Sequence, residues 1–293
     1  GIMEHIEEAG VHSGDSACAL PPYTLSPSIM GRLSEQTIAL AKALNVSGLI
    51  NIQYAVKDEE IFVLEANPRA SRTVPFVAKA VGAPIASIAA KIMAGEPLTQ
   101  FDLRHAEAQR VAVKEAVFPF ARFANVDPIL GPEMRSTGEV MGWDDDFGTA
   151  FLKSQIGAGV TLPTEGTAFI SVRDDDKPGI LEAAQGLVDM GFEIVATSGT
   201  AQYLAAQGID SRVVKKVLEG KPNIEDAILN GEIDVVLNTT EGAQSRKDSK
   251  SIRRTSLIQN IPYFTTLSAC LAAVKAIRSM REKPLAVRAL QKA

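Results

Sequence analysis

Cysteine is scarce in this chain. Its two cysteines, Cys18 and Cys270, stand far apart and fall into no CxxC or Cys/His spacing. That argues against a disulfide framework or a structural zinc site, leaves both thiols as small core residues, and suits a reducing, cytoplasmic setting. Histidine is nearly as rare, with only His5, His12 and His105. A surplus of positive charge is also missing. Thirty Lys and Arg against thirty-five Asp and Glu give a net charge of -5, so there is no global electrostatic reason to bind nucleic acid, and a small anion would need a local basic site. No apolar run approaches the roughly 18 residues of a membrane span, and no basic stretch followed by an apolar one opens the chain. Internal repeats and low-complexity tracts are absent.

What is present is a hydrophobic content of 46% over 293 residues, enough for sizeable cores and more than one modal domain. The opening Gly1-Ile2-Met3-Glu4 alternates like a strand and lacks an initiator methionine. It reads as the start of a piece cut from something longer.

Two regions differ in rhythm. The first, residues 1–155, begins with a short strand and the loop "AGVHSGDS", then a helix from about Ser28 to Leu44 whose Pro27 suits a first-turn position. A hairpin follows, then "VPFVAKAVGAPIASIAAKIMAG", helical with a Gly-Ala-Pro break, and the strand-like "VAVKEAVFPF". Residues 156–166, inside "IGAGVTLPTEG", are rich in Gly, Pro and Thr and read as a linker. From Thr167 to the end, strands "TAFISV", "FEIVAT", "RVVKKV", "IDVVLNTT" and "PYFTT" are interleaved with helices from Pro178, over "NIEDAILNG", "SIRRTSLIQN" and "LSACLAAVKAIRSM". That pattern predicts a mainly parallel sheet with helices on both faces.

The hairpin carries the densest chemistry. Strands 48–57 and 61–67 flank Asp58-Glu59-Glu60, and a three-residue loop pairs Val56 with Phe62, Tyr54 with Leu64 and Ile52 with Ala66 on one apolar face. The alternate face then gathers Gln53, Glu65 and Asn67. Three side-chain oxygens, hard and partly anionic, match Mg²⁺, and Arg69 and Arg72 just beyond the strand suit an anion beside it. A solvated strand face with surface salt bridges is the plainer alternative. In the second region, "IVATSGTAQYLAAQG" turns from a strand into a helix through Thr197-Ser198-Gly199-Thr200, and "VVLNTTEG" ends another strand with Asn238, Thr239 and Thr240. Backbone NH groups, hydroxyls and the nearby Lys177 and Lys216 would suit a phosphate, with simple helix capping as the alternative. In "EHIEE", His5 and Glu7 share one side of a strand, with no third histidine nearby to complete a metal site.

The stretch "NIQYAVKDEEIFVLEANPRASRTVPFVAKA", preceded by "IMEHIEEAGVHSGDSACALPPYTLS" and followed by "VKEAVFPF" and "VDPILGPEMRSTGEVMG", closely resembles the large subunits of carbamoyl-phosphate synthases. The resemblance covers the whole chain. It implies an α/β protein made of the C-terminal portion of an ATP-grasp α+β module, followed by a Rossmann-like, methylglyoxal-synthase-like domain with a mainly parallel sheet. It further implies ATP-dependent phosphorylation of carbamate, with ATP and Mg²⁺ or Mn²⁺ as cofactors and a small glutaminase subunit as partner, reached through a half that precedes residue 1. The lobe with the phosphate-covering loop would also lie there, so this chain alone is expected to hold half an active site and to make no carbamoyl phosphate.

By the same resemblance, Gly10, Val11, His12 and Ser13 line the nucleoside pocket of the ATP, Gln53, Glu65 and Asn67 bind its metal ions, and Arg69 and Arg72 lie by the carbamate. His5, Glu7, Asp15, Glu115, Tyr263 and Thr265 match an ornithine site. Lys177, Thr197, Thr200, Lys216, Asn238, Thr240 and Ser249 match a pocket where UMP inhibits and IMP activates. Ser198 stands where relatives carry His, which leaves the preferred nucleotide open. The segment "NTTEGAQSRKDS" lacks the acidic Gly-Gly-Asp motif of methylglyoxal synthases, which speaks against an independent lyase. A module that only senses nucleotide and ornithine remains the alternative to an enzyme part, and self-association is left open.

Overall fold

The structure is a computed structural model that describes residues 1–103, 108, 110–123, 126–240 and 249–290. His105 and residues 241–248 of the Thr-rich segment lie outside the described residues. Strands β1 (Glu4–His5), β2 (Cys18–Leu20), β5 (Val111–Val117) and β6 (Gly138–Asp144) form one antiparallel sheet in that order. Between β2 and β5 lie helix α1 (Pro27–Ala43), the hairpin β3 (Asn51–Lys57) and β4 (Glu60–Asn67), and helices α2 (Val74–Ala80) and α3 (Ile85–Met93). Helix α1 starts where expected: the Ser26 hydroxyl accepts from the Ile29 NH, and Pro27 occupies the first turn, where its missing NH is no loss. Helices α2 and α3 bracket the Gly-Ala-Pro break.

The hairpin corrects the sequence reading at its tip. The loop is two residues, Asp58 and Glu59, both with positive φ, so Lys57 pairs with Glu60, Val56 with Ile61 and Tyr54 with Val63. Val56 does not face Phe62, nor Tyr54 Leu64. Two left-handed residues make the tight turn whose twist matches the strands, and Asp58 is tolerated there because its short polar side chain is among those that visit this region. A bulge at Leu64 then takes up the slipped residue, and below it Ile52 pairs with Ala66, Gln53 with Glu65 and Asn51 with Asn67, as the three-residue loop also required. Phe62, Val63 and Leu64 are about half exposed.

The second region is a five-stranded, wholly parallel sheet in the order β11-β10-β7-β8-β9. Its strands are β7 (Thr167–Ser171), β8 (Glu193–Thr197), β9 (Arg212–Val214), β10 (Val235–Asn238) and β11 (Tyr263–Phe264). Helices α5 (Lys177–Asp189), α6 (Ser198–Ala206), α7 (Ile224–Leu229), α8 (Lys250–Ile258) and α9 (Leu267–Glu282) alternate with them. Strand β9 is shorter than "RVVKKV" suggested, because the Glu219 carboxylate accepts the Lys216 NH and winds residues 217–219 into a 3₁₀ turn.

Helix α4 (Phe147–Gly157), absent from the sequence reading together with β6, joins the two sheets. It is capped by Asp146, which accepts from the Thr149 NH and hydroxyl. A Cβ at Gly142 on β6 would collide with the Ala150 carbonyl of α4, and one at Gly148 would press on the Ser279 hydroxyl and the Lys275 carbonyl of α9. Glycine is therefore what lets α4 lie against both. Ile6 just after β1, Ala19 and Val113 of the first sheet, Phe151 of α4, and Ile170, Leu237 and Ile277 of the second region belong to one continuous buried cluster. No single helix among the described residues is long and apolar enough to cross a membrane.

Candidate functional site

Three clusters of predicted residues can be followed in space. On the hairpin, the Gln53 side-chain amide donates to Glu65 Oε1 at 2.7 Å and the Asn67 amide donates to the same oxygen at 2.9 Å. Both NH₂ groups are thus engaged by the carboxylate, which leaves the two amide oxygens and Glu65 Oε2 as acceptors. One carboxylate and two carboxamides fit Mg²⁺ or Mn²⁺, which take hard oxygens and complete their shell with phosphate and water. Arg69 and Arg72 follow it in the chain and are exposed, with Arg69 Nη1 donating to the Ala70 carbonyl. Tyr54 Oη lies 2.9 Å from the Thr37 hydroxyl and Arg32 donates to the Glu59 carbonyl, so α1 braces the hairpin.

The loop Gly10 to Ser13 follows β1 and is held from beneath. The His12 NH donates to the Gly131 carbonyl at 2.8 Å, and the Gly14 NH donates to His12 Nδ1. Lys114, on β5 and with no solvent exposure, donates to the Ser13 and Gly14 carbonyls at 3.1 and 3.4 Å. Asp15 is buried and spends both carboxylate oxygens on the Arg135 and Ser136 NH groups.

A cavity of about 480 Å³ lies between the two sheets and is lined by Glu7, Glu115, Tyr263 and Thr265 among others. Four of the six residues matched to an ornithine site therefore face one space. His5 and Asp15 are not among its lining residues. Glu7 accepts from the Ala17 NH at 2.6 Å, and Glu115 accepts from Gln155 Nε2 at 2.6 Å. Burial, then the neighbouring Glu115 charge, pushes the Glu7 carboxyl up to about 8, and burial pushes Glu115 up to about 7. Burial, with the Lys114 charge second, lowers His5 to about 4.

A group that keeps its proton longer in the folded state makes folding less favourable as pH rises through the interval between its unfolded and folded values. Below about pH 6.5 the lowered His5 adds a slope of the opposite sign, so the melting temperature should fall between pH 6.5 and pH 8, by on the order of 5 °C, and Glu7→Gln should flatten that slope. Melting curves at constant ionic strength measure both; a flat profile in the parent chain would rule out the strained carboxyl pair.

In the second region, the C-terminal ends of β10, β7 and β8 lie side by side. Thr197 and Ser171 hydroxyls are 3.0 Å apart, the Thr200 hydroxyl accepts from the Val172 NH, and the Asn238 amide donates to the Ser171 carbonyl. Asn238 Oδ1 is buried with no hydrogen-bond partner among the described residues, an acceptor that a ligand donor would satisfy. The Lys177 ammonium sits over Gly199 in the first turn of α6 and pairs with Asp174 at 2.7 Å. The Asp174 carboxyl is held below the usual range first by its bond to Lys177, with Lys216 contributing through charge. Lys177 thus lies at the positive end of α6. Thr240 is half-buried and Ser249 buried at the start of α8.

Sequence reasoning missed Lys114, Ser171, Asp174, and the pair Asp127–Arg253, in which a guanidinium only 2% exposed holds the carboxylate through Nε at 3.0 Å and Nη2 at 2.9 Å. A charge inside an apolar stretch, as in "VAVKEAV", is the one signal that pointed to Lys114.

Comparison with known proteins follows the same division. Residues 2–101 match the family "Carbamoyl-phosphate synthase L chain, ATP binding domain", and residues 179–265 match the family "MGS-like domain". The chain is 58% identical to the carbamoyl phosphate synthase large chain of Brucella suis over 99% of its own length and 26% of the relative's. It is 57% identical to that of Mesorhizobium japonicum, over 99% of this chain and 25% of the relative. A biotin carboxylase from Campylobacter jejuni, 16% identical, superposes with a TM-score of 0.39 over 48% of this chain and 37% of that one, too loosely to bear on the argument.

Proposed function

We propose that this chain, which spans about a quarter of the length of the curated carbamoyl phosphate synthase large chains it matches, carries part of an ATP-dependent carbamate-phosphorylating site together with that site's effector domain. The observation that carries the reading is the grip of Gln53 and Asn67 on Glu65 in the segment matched to an ATP-binding domain. These residues would hold Mg²⁺ or Mn²⁺ against the phosphates, and the metal would neutralise charge on the group in transfer. Arg69 and Arg72 would orient the carbamate oxygens, and the 10–13 loop would close over the nucleoside. The rest of the site, and contacts with a small glutaminase subunit, would come from the parts of such proteins that this chain does not span. A cytoplasmic location fits this chemistry.

In the cavity, Glu7 and Glu115 supply anionic oxygens for amino groups, while Tyr263 and Thr265 supply hydroxyls, a set suited to ornithine. At the strand ends of the parallel sheet, the α6 N-terminus, the hydroxyls and Lys177 and Lys216 suit the phosphate of UMP or IMP. Titration calorimetry on the 293-residue chain tests the effector reading. UMP should bind far more tightly than uridine, and Lys216→Ala should weaken UMP by about ten- to a hundredfold, the worth of one charge-assisted contact. Equal affinity for UMP and uridine would reduce the strand ends to helix caps.

A further inference from the structure

The candidate nucleotide pocket and the 10–15 loop are joined by one unbroken line of hydrogen bonds. At the pocket, Ser249 begins α8, and one turn later the Arg253 NH donates to the Ser249 carbonyl. The Arg253 side chain leaves the helix and forks onto Asp127 with both bonds near 3 Å. Asp127 opens a stretch, residues 127–136, with no regular secondary structure. That stretch is tied back on itself by Arg135 Nη1, which donates to the Asp127 carbonyl at 2.9 Å. Its far end holds the loop: the Arg135 and Ser136 NH groups donate to Asp15, the Ser136 hydroxyl donates to the Gly14 carbonyl, and the Gly131 carbonyl accepts the His12 NH.

We propose that Asp127 and Arg253 form a positioning joint through which the setting of α8 at the effector pocket fixes the setting of the 10–15 loop. A planar fork on a carboxylate tolerates little rotation, and a guanidinium this deeply buried cannot exchange its partner for water, so a shift of α8 either drags the 127–136 strap or breaks both bonds together. Such a contact has discrete arrangements, which coupling between distant sites requires. Backbone without helix or strand bonds takes its register from side-chain ties, so the loop, held from one side by the buried Lys114, depends on the joint for its setting against the 127–136 strap. The assignment of the two ends to a nucleotide and to ATP rests on the function proposed above; the mechanical link does not.

Hydrogen exchange on the 293-residue chain separates the two. Without any nucleotide, Asp127→Asn should raise exchange about tenfold in peptides covering residues 10–16 and 249–256 and leave α5 and β8 unchanged. Arg253→Lys, which keeps the charge and loses the fork, should do the same. With saturating UMP the parent chain should change its exchange at residues 10–16, while Asp127→Asn should bind UMP within about threefold and show no such change. Unaltered exchange at residues 10–16 in both ligand-free variants, or a UMP response that survives in Asp127→Asn, would overturn the joint. If UMP fails to bind the parent chain, the effector reading falls, and the ligand-free comparison still decides the joint.

Discussion

Replacing Glu65 by alanine in a complete large chain is expected to lower the rate of carbamate phosphorylation by about 10²-fold or more, the scale of one lost electrostatic stabiliser. Glu65 is the one carboxylate in the Gln53–Glu65–Asn67 cluster, and both carboxamides are oriented by donating to it. Its loss removes the anionic ligand and frees the two amides to rotate. Because Glu65 is exposed on the hairpin, the change should leave the melting temperature within about 1 °C, as surface substitutions do. Asp should restore part of the lost activity and Gln little, and the Mg²⁺ concentration giving half-maximal rate should rise in all three variants. A variant with full activity and unaltered Mg²⁺ dependence would sink the metal assignment.

The largest stability effect is expected at Lys114. Its ammonium is out of contact with water, donates to the Ser13 and Gly14 carbonyls, and lies close enough to lower the carboxyls of Glu7 and Glu115 against the pull of burial. Methionine keeps the volume and removes the charge, so two carbonyls lose a donor and two carboxyls lose their counter-charge. Breaking a buried charge arrangement from one side costs about 3–5 kcal/mol, here a fall of roughly 10 °C in melting temperature. The sign with pH follows from the carboxyls. Below about pH 6 both are protonated and need no counter-charge; by pH 8.5 both are mostly ionised, given values of about 8 and about 7. The Lys114→Met penalty should therefore grow from pH 5.5 to pH 8.5. An equal penalty at both ends would mean that the ammonium serves only the loop carbonyls.

The parallel sheet was legible because its central strands β7, β8 and β10 are buried on both faces and so appear as unbroken apolar runs, from "AFISV" to "DVVLN". The Gln53–Glu65 pairing was legible although the turn was not, because the bulge at Leu64 restores the register that one apolar face demanded. The turn itself was misread because Asp58-Glu59 lacks the Gly or Asn that usually marks left-handed residues, and the bulge at Leu64 has no sequence signature. Helix α4 was missed since it is buried on most sides, Gly148 through Leu152 included, and such a helix shows no polar face to set its period.

The sequence by itself determined most strands and helices, α4 and β6 excepted, and which chemistry each strand end carries, since these follow from periodicity and residue type within a few neighbours. The tertiary structure alone decided that Glu7 and Glu115, 108 positions apart, face each other across one cavity, that Lys114 is sealed beneath the 10–15 loop, and that Arg253 reaches Asp127. Each of these depends on segments far apart in the chain packing together, and burial there turns ordinary charges into strained or clamped ones. Desolvation is a property of what surrounds a group in space, and no local pattern in the chain encodes it.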